Sequence, residues 1–147
     1  MSAGNFSFPI MVYYEDTDSG RIVYYANYLK FAERARTELL REHGFDHKTL
    51  AREHGIGFAV RHCSADYKRP AVLDDALEVR TTVTAVGGAS MNMDQAVCRD
   101  GDVLVDLKIR LASIDGQGAP ARIPADLRTA MKALCTSAEN ETNERKL

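Results

Sequence analysis

The sequence predicts an α+β domain, and three observations carry that prediction. Apolar residues recur at helical spacing over residues 27–43. One segment before that stretch and four after it are instead rich in β-forming residues, several with strict alternation. No repeat, linker or low-complexity stretch divides the 147 residues, so helix and strands belong to one domain, expected over residues 1–135.

The elements follow in order. Residues 8–14 (FPIMVYY) read as a first strand that runs into the acidic turn Glu15-Asp16-Thr17-Asp18-Ser19-Gly20. Residues 27–43 hold no Gly or Pro and repeat Tyr28, Phe31, Ala32, Ala35, Leu39 and Leu40 at spacings of three and four, which makes one long amphipathic helix. Gly44 stands where a glycine ends a helix. A short helical piece over 47–54 closes at Gly55, and a strand over 56–67 ends before Pro70, which cannot donate to a ladder. Residues 77–85, 91–97 and 103–111 then alternate apolar and polar side chains, with Gly87-Gly88 and Asp100-Gly101 as the turns of a three-strand meander. Ile123-Pro124 opens a last helix to about residue 134, with Asp126 in its first turn, where the helix dipole favours an anion. Residues 136–147 (TSAENETNERKL) are expected to be a flexible polar tail.

Composition excludes several classes of function. With 45% hydrophobic and 27% charged residues the chain can bury a core, and a net charge of −2 provides no basic stripe for nucleic acid. No run approaches the roughly 18 apolar residues of a membrane span, and the first residues lack a basic-then-apolar targeting pattern, so a cytoplasmic location is expected. Cys63, Cys98 and Cys135 are odd in number and lack C-x-x-C spacing; they read as small buried hydrophobes, not as disulfides or zinc ligands. His43, His47, His54 and His62 lack metal-helix spacing, since Gly44 separates the one pair four apart, and no metal is expected. Five strands and one principal helix leave open sheet edges, which predicts a homodimer or a higher symmetric oligomer.

The densest set of chemically useful residues is the stretch from Asp16 to Tyr28. Helix-start amides lack internal partners and can bind an oxygen that gains negative charge. Asp16 and Asp18, two apart, face different ways on an extended backbone, which leaves one free to act on the carbon of that same carbonyl. A carboxylate beside such amides can attack a carbonyl or activate water, and a thioester suits so sparse a site because a thiolate leaves without acid help. The same Asp-Thr-Asp-Ser-Gly run also fits plain turn chemistry, in which the side chains cap local amides. A D-x-D metal site is disfavoured, because no histidine or third acid lies nearby in sequence.

The run Asp16-Thr17-Asp18-Ser19-Gly20-Arg21-Ile22-Val23-Tyr24-Tyr25-Ala26-Asn27-Tyr28-Leu29-Lys30-Phe31-Ala32-Glu33-Arg34-Ala35-Arg36-Thr37-Glu38 resembles the signature of the 4-hydroxybenzoyl-CoA thioesterase family, in particular its Tol-Pal-associated branch of acyl-CoA thioesterases. Phe58-Ala59-Val60-Arg61, Asp66-Tyr67-Lys68-Arg69-Pro70-Ala71 and Leu73-Asp74-Asp75-Ala76-Leu77-Glu78-Val79 extend the likeness over residues 9–134. The resemblance implies a hotdog fold, a five-stranded antiparallel sheet wrapped around one long helix, in protomers that pair into dimers or tetramers. It implies hydrolysis of a small aliphatic or aromatic acyl-CoA with no cofactor. Asp18 matches the catalytic carboxylate, as nucleophile or general base, and Tyr25 matches the position whose backbone amide polarises the thioester carbonyl. A noncatalytic module that binds acyl-CoA or an acyl carrier protein is the alternative, and a hotdog dehydratase ranks last because no histidine falls in the motif.

Two positions depart from the pattern. Tyr25 stands where many members of that branch carry histidine, and Arg21 stands where glycine is common. For the CoA phosphates, the turn Gly87-Gly88-Ala89-Ser90 has no basic residue, so Lys68, Arg69 and Arg21 are candidates by charge alone. Glu33 lies beyond the motif on the helix within reach of an acyl group, though a structural or surface role is the commoner one for such an acid. The mixed-sign run from Glu33 to Glu42, Arg36 included, reads as a solvated face with intrahelical ion pairs, and Met91 and Met93 read as core filling.

Overall fold

The computed structural model describes residues 5–146, and the side chains of residues 5–135. Strands β1 (Asn5–Met11), β2 (Gly57–Tyr67), β3 (Ala76–Val86), β4 (Ser90–Arg99) and β5 (Asp102–Ile114) form one antiparallel sheet in the order β1-β3-β4-β5-β2. The central meander follows from its turns: Asp100 (φ 52°) and Gly101 (φ 85°) both take the positive φ that a two-residue hairpin between Arg99 and Asp102 requires. Alternation then sets the register, with Val79 opposite Val97, Thr81 opposite Gln95 and Met93 opposite Ile109 on one buried face.

Helix α1 (Asn27–Glu42) lies on that face and buries the stripe that its spacing predicts. Phe31, Ala32 and Ala35 are sealed from solvent, and burying a side chain such as Phe31 or Leu39 contributes about 1.5–3 kcal/mol each. The helix stops at Gly44, whose φ of 86° no side chain adopts cheaply; Gly44 N donates to Arg41 O at 3.0 Å and Phe45 N to Leu40 O at 2.9 Å. Helix α2 (His47–Thr49) is capped by Asp46, which accepts from Thr49 N at 2.7 Å, and runs on as a π-helical turn, Leu50–His54. Helix α3 (Ala125–Lys146) runs along β3 and adds Leu127 and Met131 to the core. Its Cys135 Sγ donates to Thr84 O.

Several expectations shift. The first strand is Asn5–Met11, because Val12 leaves the β3 ladder to exchange hydrogen bonds with Asp74 and Asp75, and Tyr14–Asp16 then form a 3-10 turn. The last helix continues past residue 134 to Lys146, since nothing between Ala125 and Lys146 breaks it. The side chains of the expected polar tail lie outside the described residues. Leu104, on the polar-facing side of the 103–111 alternation, is nonetheless buried, and Lys68 N and Arg69 N of the chain leaving β2 donate to its carbonyl. Of the three cysteines only Cys98 is buried; Cys63 is exposed because β2 is an edge strand.

Candidate active site

The site begins with a tight hairpin. Thr17 bridges Val23, Asp18 N donates to Ile22 O at 2.9 Å, and Arg21 N donates to Asp18 O at 3.0 Å. This is a three-residue loop, a turn over 18–21 that ends on one left-handed residue, Arg21, with φ 65°. That geometry accounts for the glycine common at this position. At the tip, Asp18 Oδ1 accepts from Gly20 N at 2.8 Å, so the turn reading holds for one carboxylate oxygen. The other, Oδ2, carries no protein partner among the described residues, and the side chain is exposed. Asp16 faces the other way: it is buried, its Oδ2 accepts from Tyr13 N at 2.9 Å, and its carbonyl takes Tyr24 N and Asn27 Nδ2, each at 2.9 Å. The two acids therefore divide into a buried structural one and an exposed one with one oxygen unpartnered among the described residues.

Those bonds to Asp16 deliver the chain from hairpin to helix. Asn27 N closes onto Tyr24 O at 2.8 Å, while among the described residues the amides of Tyr25 and Ala26 donate to nothing. Two unsatisfied N–H groups thus stand at the start of a long helix, where its dipole adds positive potential. The Tyr25 ring is 60% exposed and meets Tyr67 edge-on at 6.0 Å, and Tyr28 meets Tyr67 at 5.8 Å. Burial pushes the Tyr67 and Tyr28 hydroxyls up from the usual phenol pKa, and Tyr28 Oη accepts from Ala71 N at 2.9 Å.

From Tyr67 an open trough follows α1 along the helix-facing side of β2. Tyr67, Ala65, Cys63, Val60 and Phe58 pair with the inward residues of β5 but remain partly uncovered, because no strand lies beyond β2. The trough deepens into a cleft of about 130 Å³ lined in part by Glu33, Arg36, Val60 and Met93. Glu33 thus lines this cleft, away from the start of α1, and Thr37 Oγ1 donates to it at 3.4 Å. His47 Nε2 bonds Thr37 Oγ1 at 2.9 Å and His43 Nδ1 donates to Leu39 O at 3.0 Å, so neither is brought to Asp18. Among the described residues no three metal-binding side chains cluster.

The cations fall otherwise than charge alone predicted. Lys68 is paired with Asp106 at 2.8 Å and Arg69 with Asp102 at 3.8 Å, while Arg21 is exposed on its loop. Sequence reasoning missed two others: Arg128 Nε donates to Gly87 O at 3.1 Å, and Arg122 Nη1 lies 3.7 Å from where a Cβ on Gly88 would be. With His54 they line a cleft of about 390 Å³ that has no acid in its lining. The C-terminal segment therefore supplies the positive charge that the Gly87-Gly88 turn lacks.

Comparison with known proteins places the fold in a family. The sequence model of the thioesterase-like superfamily matches residues 12–131, which takes in the hairpin, α1, the whole of β2 to β5 and the start of α3. The chain belongs to this superfamily. Among relatives of this superfamily, the acyl-CoA thioesterase YbgC of Haemophilus influenzae is 42% identical over 135 residues, 91% of this chain and 99% of its own. A crystal structure of a probable thioesterase from Bartonella henselae is 37% identical, covers 82% of this chain and 99% of its own, and superposes with a TM-score of 0.79. A Staphylococcus aureus protein solved in complex with CoA shares the fold at a TM-score of 0.84 and 14% identity, over 93% of this chain and 87% of its own. The superfamily architecture, the hotdog, is what α1 and its wrapping sheet form here, as the resemblance implied.

Proposed function

We propose that this chain is an acyl-CoA thioester hydrolase whose reaction centre lies between Asp18 and the start of α1. The observation that carries this reading is the pair of unpartnered amides at Tyr25 and Ala26, preceded in the same hairpin-to-helix segment by an exposed carboxylate whose Oδ2 has no partner among the described residues. The names of its close relatives point to the same reaction. The thioester oxygen accepts from these amides, which polarises the carbonyl and stabilises the oxyanion as the carbon becomes tetrahedral. Asp18 either attacks that carbon, giving a mixed anhydride that water then hydrolyses, or takes a proton from the attacking water. In both routes CoA leaves as a thiolate and the acyl group leaves as a carboxylate. The acyl chain runs along the trough beside β2, and the phosphates of CoA are candidates for the cleft of Arg122, Arg128 and His54.

Asp18→Asn tests the centre cleanly, because the amide oxygen still accepts from Gly20 N while the charge is lost. Thiol release from acyl-CoAs is expected to fall by about 10²–10⁴-fold with Tm nearly unchanged. Unaltered turnover would remove Asp18 from the chemistry, and binding without turnover in the native chain would favour a noncatalytic module. A second copy covering the open edge of β2 completes the trough on its exposed side. Light scattering is then expected to give a multiple of 16.3 kDa, and specific activity to fall on dilution into monomer.

A further inference from the structure

Arg36 is turned inward from α1, with 9% of its surface exposed. Its Nη1 donates to Gln95 Oε1 at 2.9 Å, and among the described residues no carboxylate lies within ion-pair distance of it. Burial pulls the guanidinium pKa down, and the charge of Glu33, one turn back on α1, offsets part of that pull without bonding to it. Its other N–H groups are not sealed, since Ser113 Oγ is the buried side-chain atom left without a partner among the described residues. Arg36 itself lines a cleft of about 130 Å³ whose walls include Leu40, Phe58, Val60, Met91 and Met93. That volume approaches the roughly 150 Å³ that holds a benzene-sized guest. Apolar walls accept methylenes, and a partly satisfied buried guanidinium accepts an anion.

The position along the trough sets a length. At about 1.5 Å per residue, Arg36 lies about 13 Å along the axis from Asn27. Four residues of β2, from Tyr67 to Cys63, span about the same at 3.3 Å each, and Cys63 is close enough to act on the Arg36 charge. The Arg36 side chain leans back toward the helix start, so a carbon chain advancing roughly 1.3 Å per bond reaches it in about six to ten carbons.

We propose that Arg36 determines specificity, and that the trough takes an acyl chain of about six to ten carbons that ends in a carboxylate, an α,ω-dicarboxylic acid joined to CoA at one end. This rests on the hydrolase reading above. The distal carboxylate pairs with the guanidinium while the methylenes lie against Val60, Met91 and Met93. Glu33, which lines the same cleft, opposes the incoming charge and tunes the preference.

The test compares kcat/KM, by thiol release, for the mono-CoA thioesters of adipic, suberic and sebacic acids against hexanoyl-, octanoyl- and decanoyl-CoA. The native chain is expected to favour the dicarboxylic member about tenfold or more at one length at least. Glu33→Gln should raise that ratio several-fold, and Arg36→Met should bring it to one or below. Arg36→Lys, which keeps the charge but loses the fork, should retain part of it and guards against a Met variant that fails to fold. Methyl-ended chains favoured at every length, or a ratio indifferent to both positions, would overturn the proposal and leave the hydrolase reading standing. Hydrolysis of neither series would overturn both.

Discussion

Arg21 holds a left-handed backbone with a φ of 65°, at the one loop position where a side chain carries a steric cost of about 1–2 kcal/mol. Arg21→Gly removes that cost but frees the unfolded chain, so stability is expected to rise by up to about 1 kcal/mol by urea denaturation. The β-branched Arg21→Val is expected to lower it by roughly 1–2 kcal/mol, and with it the fixed placement of Asp18. Gly20 limits the same loop from the other side, because a Cβ there would lie 3.2 Å from Asp18 Oδ1. The catalytic candidate is thus flanked by one residue where a side chain would crowd it and by another that would be easier without one.

At the scale of the element, α1 is tied to the sheet by a buried polar cluster as well as by its apolar stripe. Gln95 Nε2 donates to Ala32 O and to Thr81 Oγ1, each at 2.9 Å, while its Oε1 accepts from Arg36. Gln95→Leu keeps the volume but strips Arg36 of its acceptor, and is expected to cost about 2–4 kcal/mol in thermal or urea unfolding. Thr81→Val, which removes one acceptor, should cost about 1 kcal/mol. This cluster shows where the sequence was legible and where it was not. The α1 stripe, the meander and the Asp100-Gly101 turn were readable because each is a local pattern in spacing or turn chemistry. Arg36 shares the spacing of Ala32, Ala35 and Leu39, so the stripe itself carried the signal, yet charge placed it with the solvated residues. Asp18 and the Tyr25 amide came from the motif, and the structure adds that Asp16 is engaged and that one Asp18 oxygen is held by its turn. Arg122 and Arg128 could not be read, because their meeting with Gly87 and Gly88 depends on how α3 docks along β3. The trough was equally hidden, since it exists only because β2 is placed last in the sheet, away from its sequence neighbour β3.

Over the whole molecule, the same strand order leaves the two outer strands dependent on distant partners. β3, β4 and β5 are consecutive and close through short turns, whereas β1 reaches β3 only across α1, α2 and β2. Chain connectivity therefore favours a sequence of events: the meander gives the earliest low-entropy pairing, and the outer strands close late. Gly101→Ala strains the left-handed turn by about 1 kcal/mol, and in stopped-flow chevrons it is expected to slow refolding more than it speeds unfolding. Ile10→Val in β1, at a cost of about 0.5–1.5 kcal/mol, is expected to act mainly on the unfolding limb. A nascent hotdog would then expose the Asp18 hairpin and the trough before either is finished, so competence to cleave a thioester should appear with the slowest refolding phase and not with the gain of β-structure.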